Sequence, residues 1–430
     1  MGHGPGRFLT LQSRFLRFIT RTADRFELFR PSLIPEELIR RAQSSSSLSD
    51  FGEWSFREPL AVLLRAYEQE AQLSAFGRVA TRWDILRFLS NLLRLREEEK
   101  RSPQILDESI KRPIFILGMP RSGKTFLHNL LALDSANIVP RAWQTIYPYP
   151  EHRAFANGTD RRPKLVAREF AMFLRFVPEL LSLHTLDANG AQECIEITGH
   201  VMRSLRFDTT HYIPSYQEWL DDAGHLEAYR FHKRFLQHLQ YQNGGGEWVL
   251  NSPDHIYALD TLLEVYPDAR FVFVHRDPMK VMASVAKLTE LLRLPFTRNI
   301  DRLQIGRQVT DRWVQGAALL IEASERFRHT PERIFHVRYR DFTADPFNVV
   351  SGLYRHFGRT LSAPAEIAMR QTLAERPRGD CGDDHYRLED YGIDRAAERR
   401  RFGAYVSHFR IEPERNAERT RSQGDLRVAV

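Results

Sequence analysis

The densest chemistry in the chain lies in Gly118-Met-Pro-Arg-Ser-Gly-Lys-Thr125. A short apolar run, Ile114 to Leu117, precedes it, and Phe126, Leu127, Leu130 and Leu131 follow at helical spacing. That order reads as strand, glycine-bearing loop, helix. Such a turn aims backbone N–H groups and a helix N-terminus at one point, a geometry suited to a phosphate. Gly123 lets the backbone approach closely, while Arg121, Lys124 and the Thr125 hydroxyl add charge and donors. The spacing meets the Walker A pattern at every position. Seven of the 62 basic residues are lysines, so a lysine here is less easily a product of drift.

A second basic position points the same way. Arg276 follows the apolar run Phe271 to Val274, and Ser284 lies eight residues further on, two turns into the next helix. Both can reach one phosphate beside the carboxyl edge of a parallel sheet. His275-Arg-Asp277 imitates the kinase catalytic loop, but the asparagine required five residues after the aspartate is Met282.

The elements that must position these residues can be read from periodicity. Glu247 to Leu250, Arg270 to Val274 and Ile334 to Val337 repeat the pattern of an apolar run, a loop and a helix. Strands apolar on both faces and alternating with helices predict an α/β fold, a P-loop-like parallel sheet flanked by helices. Residues 1–103 read as an N-terminal helical region and 104–410 as the α/β domain. Within the latter, 134–246 form a helical, aromatic-rich insertion or cap, and 411–430 form a polar tail. Tyr147, Tyr149, Tyr212, Tyr216 and Trp219 of the cap are candidates for an acceptor pocket.

At the first loop and at Phe271-Val-Phe-Val-His-Arg-Asp-Pro278, the sequence resembles the PAPS-dependent sulfotransferases. Val337-Arg-Tyr-Arg-Asp-Phe-Thr-Ala-Asp-Pro346 and His385-Tyr-Arg-Leu-Glu-Asp-Tyr-Gly392 extend the resemblance to the bacterial branch, over about residues 112 to 410. It implies sulfuryl transfer from PAPS to a hydroxyl, with no obligatory metal. It also implies that Arg121, Ser122, Gly123, Lys124, Thr125 and Phe126 cradle the 5′-phosphosulfate, and that Arg276 and Ser284 hold the 3′-phosphate. Two positions depart from the family pattern. Lys124 stands where the family has threonine, and Asn251, in Asn251-Ser-Pro-Asp-His255, stands where the branch has lysine. One cation is lost and one gained, an exchange that conserves local charge. Arg121 and Lys124 are then expected to neutralise the leaving group. For the base, the first candidate is His255 after its strand. The rival is Glu193 in Asn189-Gly-Ala-Gln-Glu-Cys-Ile-Glu196, with Glu196 third.

Composition limits the alternatives. Sixty-two basic and 55 acidic residues leave +7, an excess suited to an anionic ligand rather than a nucleic-acid coat. Cys194 and Cys381 are too few for a disulfide framework and fit a cytoplasmic protein. No apolar run approaches the ~18 residues of a membrane span. Phe8, Leu11, Phe15, Phe18 and Ile19 at helical spacing beside arginines make the N-terminus a candidate membrane-surface or partner helix. Asn157-Gly-Thr159 fits a glycosylation sequon, without a sign of secretion. The resemblance implies a small-molecule or lipid hydroxyl as acceptor, with phenol, alcohol, sterol, sugar and lipid all open. The competing readings are a P-loop ATP-dependent kinase or NTPase, and a non-enzymatic basic membrane-surface or partner-binding protein.

Overall fold

The computed structural model describes residues 31–150, 160–183, 186–375 and 386–414. The apolar N-terminal stretch, the sequon, Cys381, His385 and the chain beyond residue 414 lie outside them. The centre is a five-stranded sheet of β1 (Ile114–Leu117), β2 (Asn137–Ile138), β3 (Glu247–Asn251), β4 (Arg270–His275) and β5 (Ile334–Arg338). Its order is β2-β3-β1-β4-β5 with every pairing parallel. The α/β class and four of the strands are those expected from periodicity. β2 lies inside the segment read as a helical cap, where two residues are too short to show a period. Asn137 and Ile138 pair with Glu247 and Trp248 and extend the sheet by one edge.

Alternation along the strands gives the sheet two different faces. Phe115, Leu117, Leu250, Phe271 and Phe273 point to an aromatic face, covered by the N-terminal and cap helices. Ile114, Ile116, Val249, Val272 and Val274 point to an aliphatic face, covered by Leu127, Leu130 and Leu131 and by Val350, Leu353 and Tyr354. Strands buried on both faces account for the continuous apolar runs. The helices Pro35–Ser46, Arg57–Gln69 and Ala75–Arg101 join the aromatic-face core through Leu38, Leu60, Leu63, Phe88 and Leu92. Residues 31–103 therefore share one core with the sheet.

The cap helix Leu226–Asn243 returns the chain to β3 and buries Tyr229, Phe231, His232 and Phe235 against the same face. Among the described residues, no helix is long and apolar enough to cross a membrane. Two close approaches bring the ends of β1 and β4 together as a platform for the site. Gly118 has φ +137°, and a Cβ there would lie 2.4 Å from the Val274 carbonyl oxygen. Gly123 has φ +95°, with the Tyr339 ring 3.2 Å from the place of its Cβ. Neither position accepts a side chain without displacement of its neighbour.

Candidate active site

The loop after β1 is built from left-handed backbone. Arg121 between the two glycines also has a positive φ, +60°. Lys124 opens the helix Lys124–Leu131, is 4% exposed, and folds back to donate from Nζ to the Gly118 carbonyl. Burial lowers its pKa to about 8, while Glu193 and Asp254 act to raise it. The ammonium thus carries its charge at neutral pH inside the loop. Thr125 is exposed on the first turn, and Phe126 packs on Phe342 at 5.3 Å between ring centroids. The Ser122 hydroxyl turns inward and donates to the Met119 carbonyl at 2.7 Å, so this side chain serves the loop itself.

Arg276 and Ser284 are brought together through Arg121. Arg276 Nη1 donates to the Arg121 carbonyl at 2.6 Å, and Arg121 Nε donates to Ser284 Oγ at 3.0 Å. Tyr386 donates to the same Oγ at 3.1 Å. The Arg276 guanidinium lies 3.9 Å from the centroid of the Tyr339 ring and forms a two-pronged pair with Glu414, at 2.9 and 3.0 Å. Tyr339 lies in the Val337–Pro346 motif, whereas Glu414 carries no local sequence signal, since it meets its partner across 138 residues. The carboxylate shows that this guanidinium accepts an anion at the carboxyl edge of the sheet. Asp277, the acid of the kinase-like His-Arg-Asp triplet, caps its helix through Met279 N–H and receives Glu414 N–H.

The candidate bases separate clearly. Cys194 N–H donates to the Asn251 carbonyl at 2.8 Å, tying the 193–194 segment to the end of β3. Glu193 beside it lines the cavity and accepts from Asn251 Nδ2 at 3.4 Å. Glu196 is spent on structure. Its two oxygens take Arg87 and Arg206 at 2.6 and 2.8 Å, and Asp84 completes the buried cluster. His255 is absent from the cavity wall and fully buried. Its Nδ1 pairs with Tyr229 Oη at 2.7 Å, and its ring stands edge-on to Phe115. Burial on the aromatic face holds its pKa well below the usual imidazole value, helped by nearby His232, Lys124 and His128. Asp254 is buried too, raised to about 6 by desolvation and bonded to Ser204 Oγ at 3.1 Å.

The loop, Arg276, Ser284 and Glu193 all line one cavity of about 1920 Å³. Its far wall is apolar: Phe76, Phe170, Phe173, Phe176, Leu288 and Phe296. None of Tyr147, Tyr149, Tyr212, Tyr216 and Trp219 lines it. Tyr216 instead donates its hydroxyl inside the cap to the Met202 carbonyl at 2.9 Å. Apart from Phe296 in a turn, the wall residues come from helices distant in sequence, among which apolar positions at helical spacing look like ordinary core.

A phosphate-type loop, an anion-holding arginine at the sheet edge and a carboxylate facing both define a group-transfer enzyme of the P-loop-like α/β class. The model of the sulfotransferase family matches residues 113–363, so the chain belongs to that family. It is a sulfotransferase, and the family's donor is PAPS. The chain is similar to the omega-hydroxy-beta-dihydromenaquinone-9 sulfotransferase Stf3 of Mycobacterium bovis, 25% identical over 74% of this chain and 83% of that protein. Among solved structures, sulfotransferase STF9 from Mycobacterium avium matches with TM-score 0.79 and 29% identity, over 89% of this chain and 98% of that one. Sulfotransferase STF1 from Mycobacterium tuberculosis matches with TM-score 0.75 and 32% identity, over 86% and 98%.

The difference between the two cap glutamates is measurable as stability. Glu196→Gln leaves the buried Arg87 and the half-buried Arg206 with one carboxylate and is expected to cost about 3 kcal/mol in urea unfolding. Glu193→Gln, half-buried and bonded once, is expected to cost less than about 1 kcal/mol. Equal losses in the two variants would contradict this division.

Proposed function

We propose that the enzyme transfers the sulfuryl group of PAPS to the terminal hydroxyl of a long apolar acceptor, with Glu193 as base. The observation that carries this reading is the shared cavity, cationic at the loop and apolar along its far wall. Loop backbone, Arg121, Lys124 and Thr125 would hold the 5′-phosphosulfate, and Arg276 and Ser284 the 3′-phosphate. Support for that fit comes from Glu414, whose carboxylate is already paired with Arg276. Glu193 takes the acceptor's proton as the hydroxyl oxygen bonds to sulfur. The bond from sulfur to the 5′-phosphate oxygen breaks, and Lys124 and Arg121 stabilise the charge arriving on that oxygen. The products are a sulfate monoester and 3′,5′-ADP.

Glu193 is preferred to His255 because it faces the cavity, whereas the imidazole is enclosed by Phe115 and Tyr229. Lys124 and Asn251 support the charge exchange inferred from sequence: the ammonium comes from the loop, and the strand supplies an amide that holds the base. A long acceptor beside the donor is favoured by a volume beyond the ~300–1,000 Å³ usual for small ligands, and an apolar one by the phenylalanines of the far wall. The mycobacterial relative, named for a hydroxylated dihydromenaquinone, has an acceptor of this kind.

Two measurements test the reading. In calorimetric titration, 3′,5′-ADP should bind roughly thirtyfold more tightly than 5′-ADP, the value of about 2 kcal/mol of charge-assisted contacts. Arg276→Ala should erase that preference; equal wild-type affinities would defeat the donor assignment.

In turnover assays with labelled PAPS, Glu193→Gln should lower kcat by about 10²–10⁴, while His255→Ala, if folded by circular dichroism, loses far less. The reverse order would return the role to His255. The same assays give the pH limb. Lys124 loses its proton as pH rises through about 8, so kcat/KM for the donor should fall there. Lys124→Arg, which stays charged, should not show the fall.

A further inference from the structure

The cavity mouth is marked by side chains that line it and yet stand in solvent. Val79 and Trp83 on one bank are 43% and 48% exposed; Met172 and Leu181 on the other are 56% and 50%. The second bank continues along the helix Arg162–Phe176, whose outer face presents Lys164, Leu165, Arg168, Met172 and Arg175 as one stripe. The inner face is spoken for. Phe176 stacks on Phe76 at 4.1 Å, Phe173 on Phe296 at 6.0 Å, and Glu169 accepts from Tyr147 Oη at 2.6 Å. The stripe is therefore cationic and apolar, with the helix's one glutamate turned away from it.

We propose that this stripe, with the exposed Val79 and Trp83, seats the enzyme on an anionic lipid surface so that the cavity opens onto the bilayer. Lys and Arg flanking exposed Leu, Met and Trp suit a headgroup layer, where cations meet phosphates and apolar groups reach the acyl boundary. A second copy of this chain suits it poorly, because a two-fold axis would set Arg168 and Arg175 against each other. The proposal deepens the apolar-acceptor reading and rests on it. An acceptor dissolved in a membrane then enters along its long axis without crossing water.

Co-sedimentation with phosphatidylcholine vesicles, with and without phosphatidylglycerol, tests it. Wild type should pellet with the anionic vesicles, less in high salt, and Leu165→Ser with Arg168→Glu should weaken pelleting at least about tenfold. These residues do not line the cavity, so 3′,5′-ADP binding should persist and report that the variant is folded. Wild type that ignores anionic vesicles, or a variant that pellets equally, overturns the docking surface while leaving the donor reading intact. A concentration-dependent dimer broken by Arg168→Glu would also overturn it in favour of self-association.

An independent observation concerns the donor end. Glu414 holds Arg276 through both carboxylate oxygens, and its N–H is anchored on Asp277 at 2.9 Å. Glu412 of the same segment pairs with Arg340, and Phe409 stacks on His275 at 3.9 Å. We infer that Glu414 is a built-in competitor of the donor's 3′-phosphate: the two anions claim one guanidinium, and the C-terminal segment must release it before the donor seats.

This second inference rests on the assignment of Arg276 to the 3′-phosphate. Glu414→Gln should tighten 3′,5′-ADP about tenfold and leave 5′-ADP unchanged. Unchanged or weaker 3′,5′-ADP binding overturns the competition. Should wild type and variant alike fail to distinguish the two nucleotides, the Arg276 assignment falls and the competitor with it.

Discussion

The geometry of the site depends on one buried cation, the Lys124 ammonium folded back onto the Gly118 carbonyl. A desolvated ammonium persists only where oxygen atoms receive its protons and opposite charge stands near. The loop supplies the first by reversing its backbone through Gly118, Arg121 and Gly123, all at positive φ. Glu193 and Asp254 supply the second. The glycines are required by this arrangement: Gly118 lies against the Val274 carbonyl, so the loop's origin is fixed to the end of β4. That contact delivers Arg276, two residues on, to the Arg121 carbonyl.

The cap acid is placed by the same logic. Glu193 stays near Lys124 because the following amide bonds to the end of β3 and Asn251 bonds to its carboxylate. A lysine at position 251 would put a second ammonium near Lys124, in a pocket where burial already lowers the first one's pKa to about 8. Asparagine keeps the hydrogen bond and removes the repulsion. On the proposed function, the two departures from the family pattern act as one electrostatic exchange, expressed at positions 124 and 251.

Much of this was legible from sequence because it is local. The loop, four strands and the helices after them each carry their signal within about a dozen residues, and Arg276 and Ser284 belong to one strand–helix unit. What was not legible depends on chain segments meeting from far apart. His255 has the spacing of a base, yet Tyr229 from a cap helix and Phe115 from β1 close around it. Glu414 reaches Arg276 across 138 residues. Phe76 and Phe173 from two helices and Phe296 from a turn form one wall, whereas the cap tyrosines that looked like a pocket are absent from the cavity lining.

The buried histidine has a structural consequence of its own. A neutral imidazole between Tyr229 and Phe115 joins the cap helix Leu226–Asn243 to the sheet through one hydrogen bond and edge-on packing. His232 on the same helix repeats the device with Tyr266 at 2.7 Å. Both bonds hold the helix Leu226–Asn243 to the aromatic-face core, and Glu193 lies in the cap segment that bonds to the end of β3. His255, whose type and position suggested proton transfer, is thus tied between the cap helix and the sheet, away from the cavity that Glu193 lines.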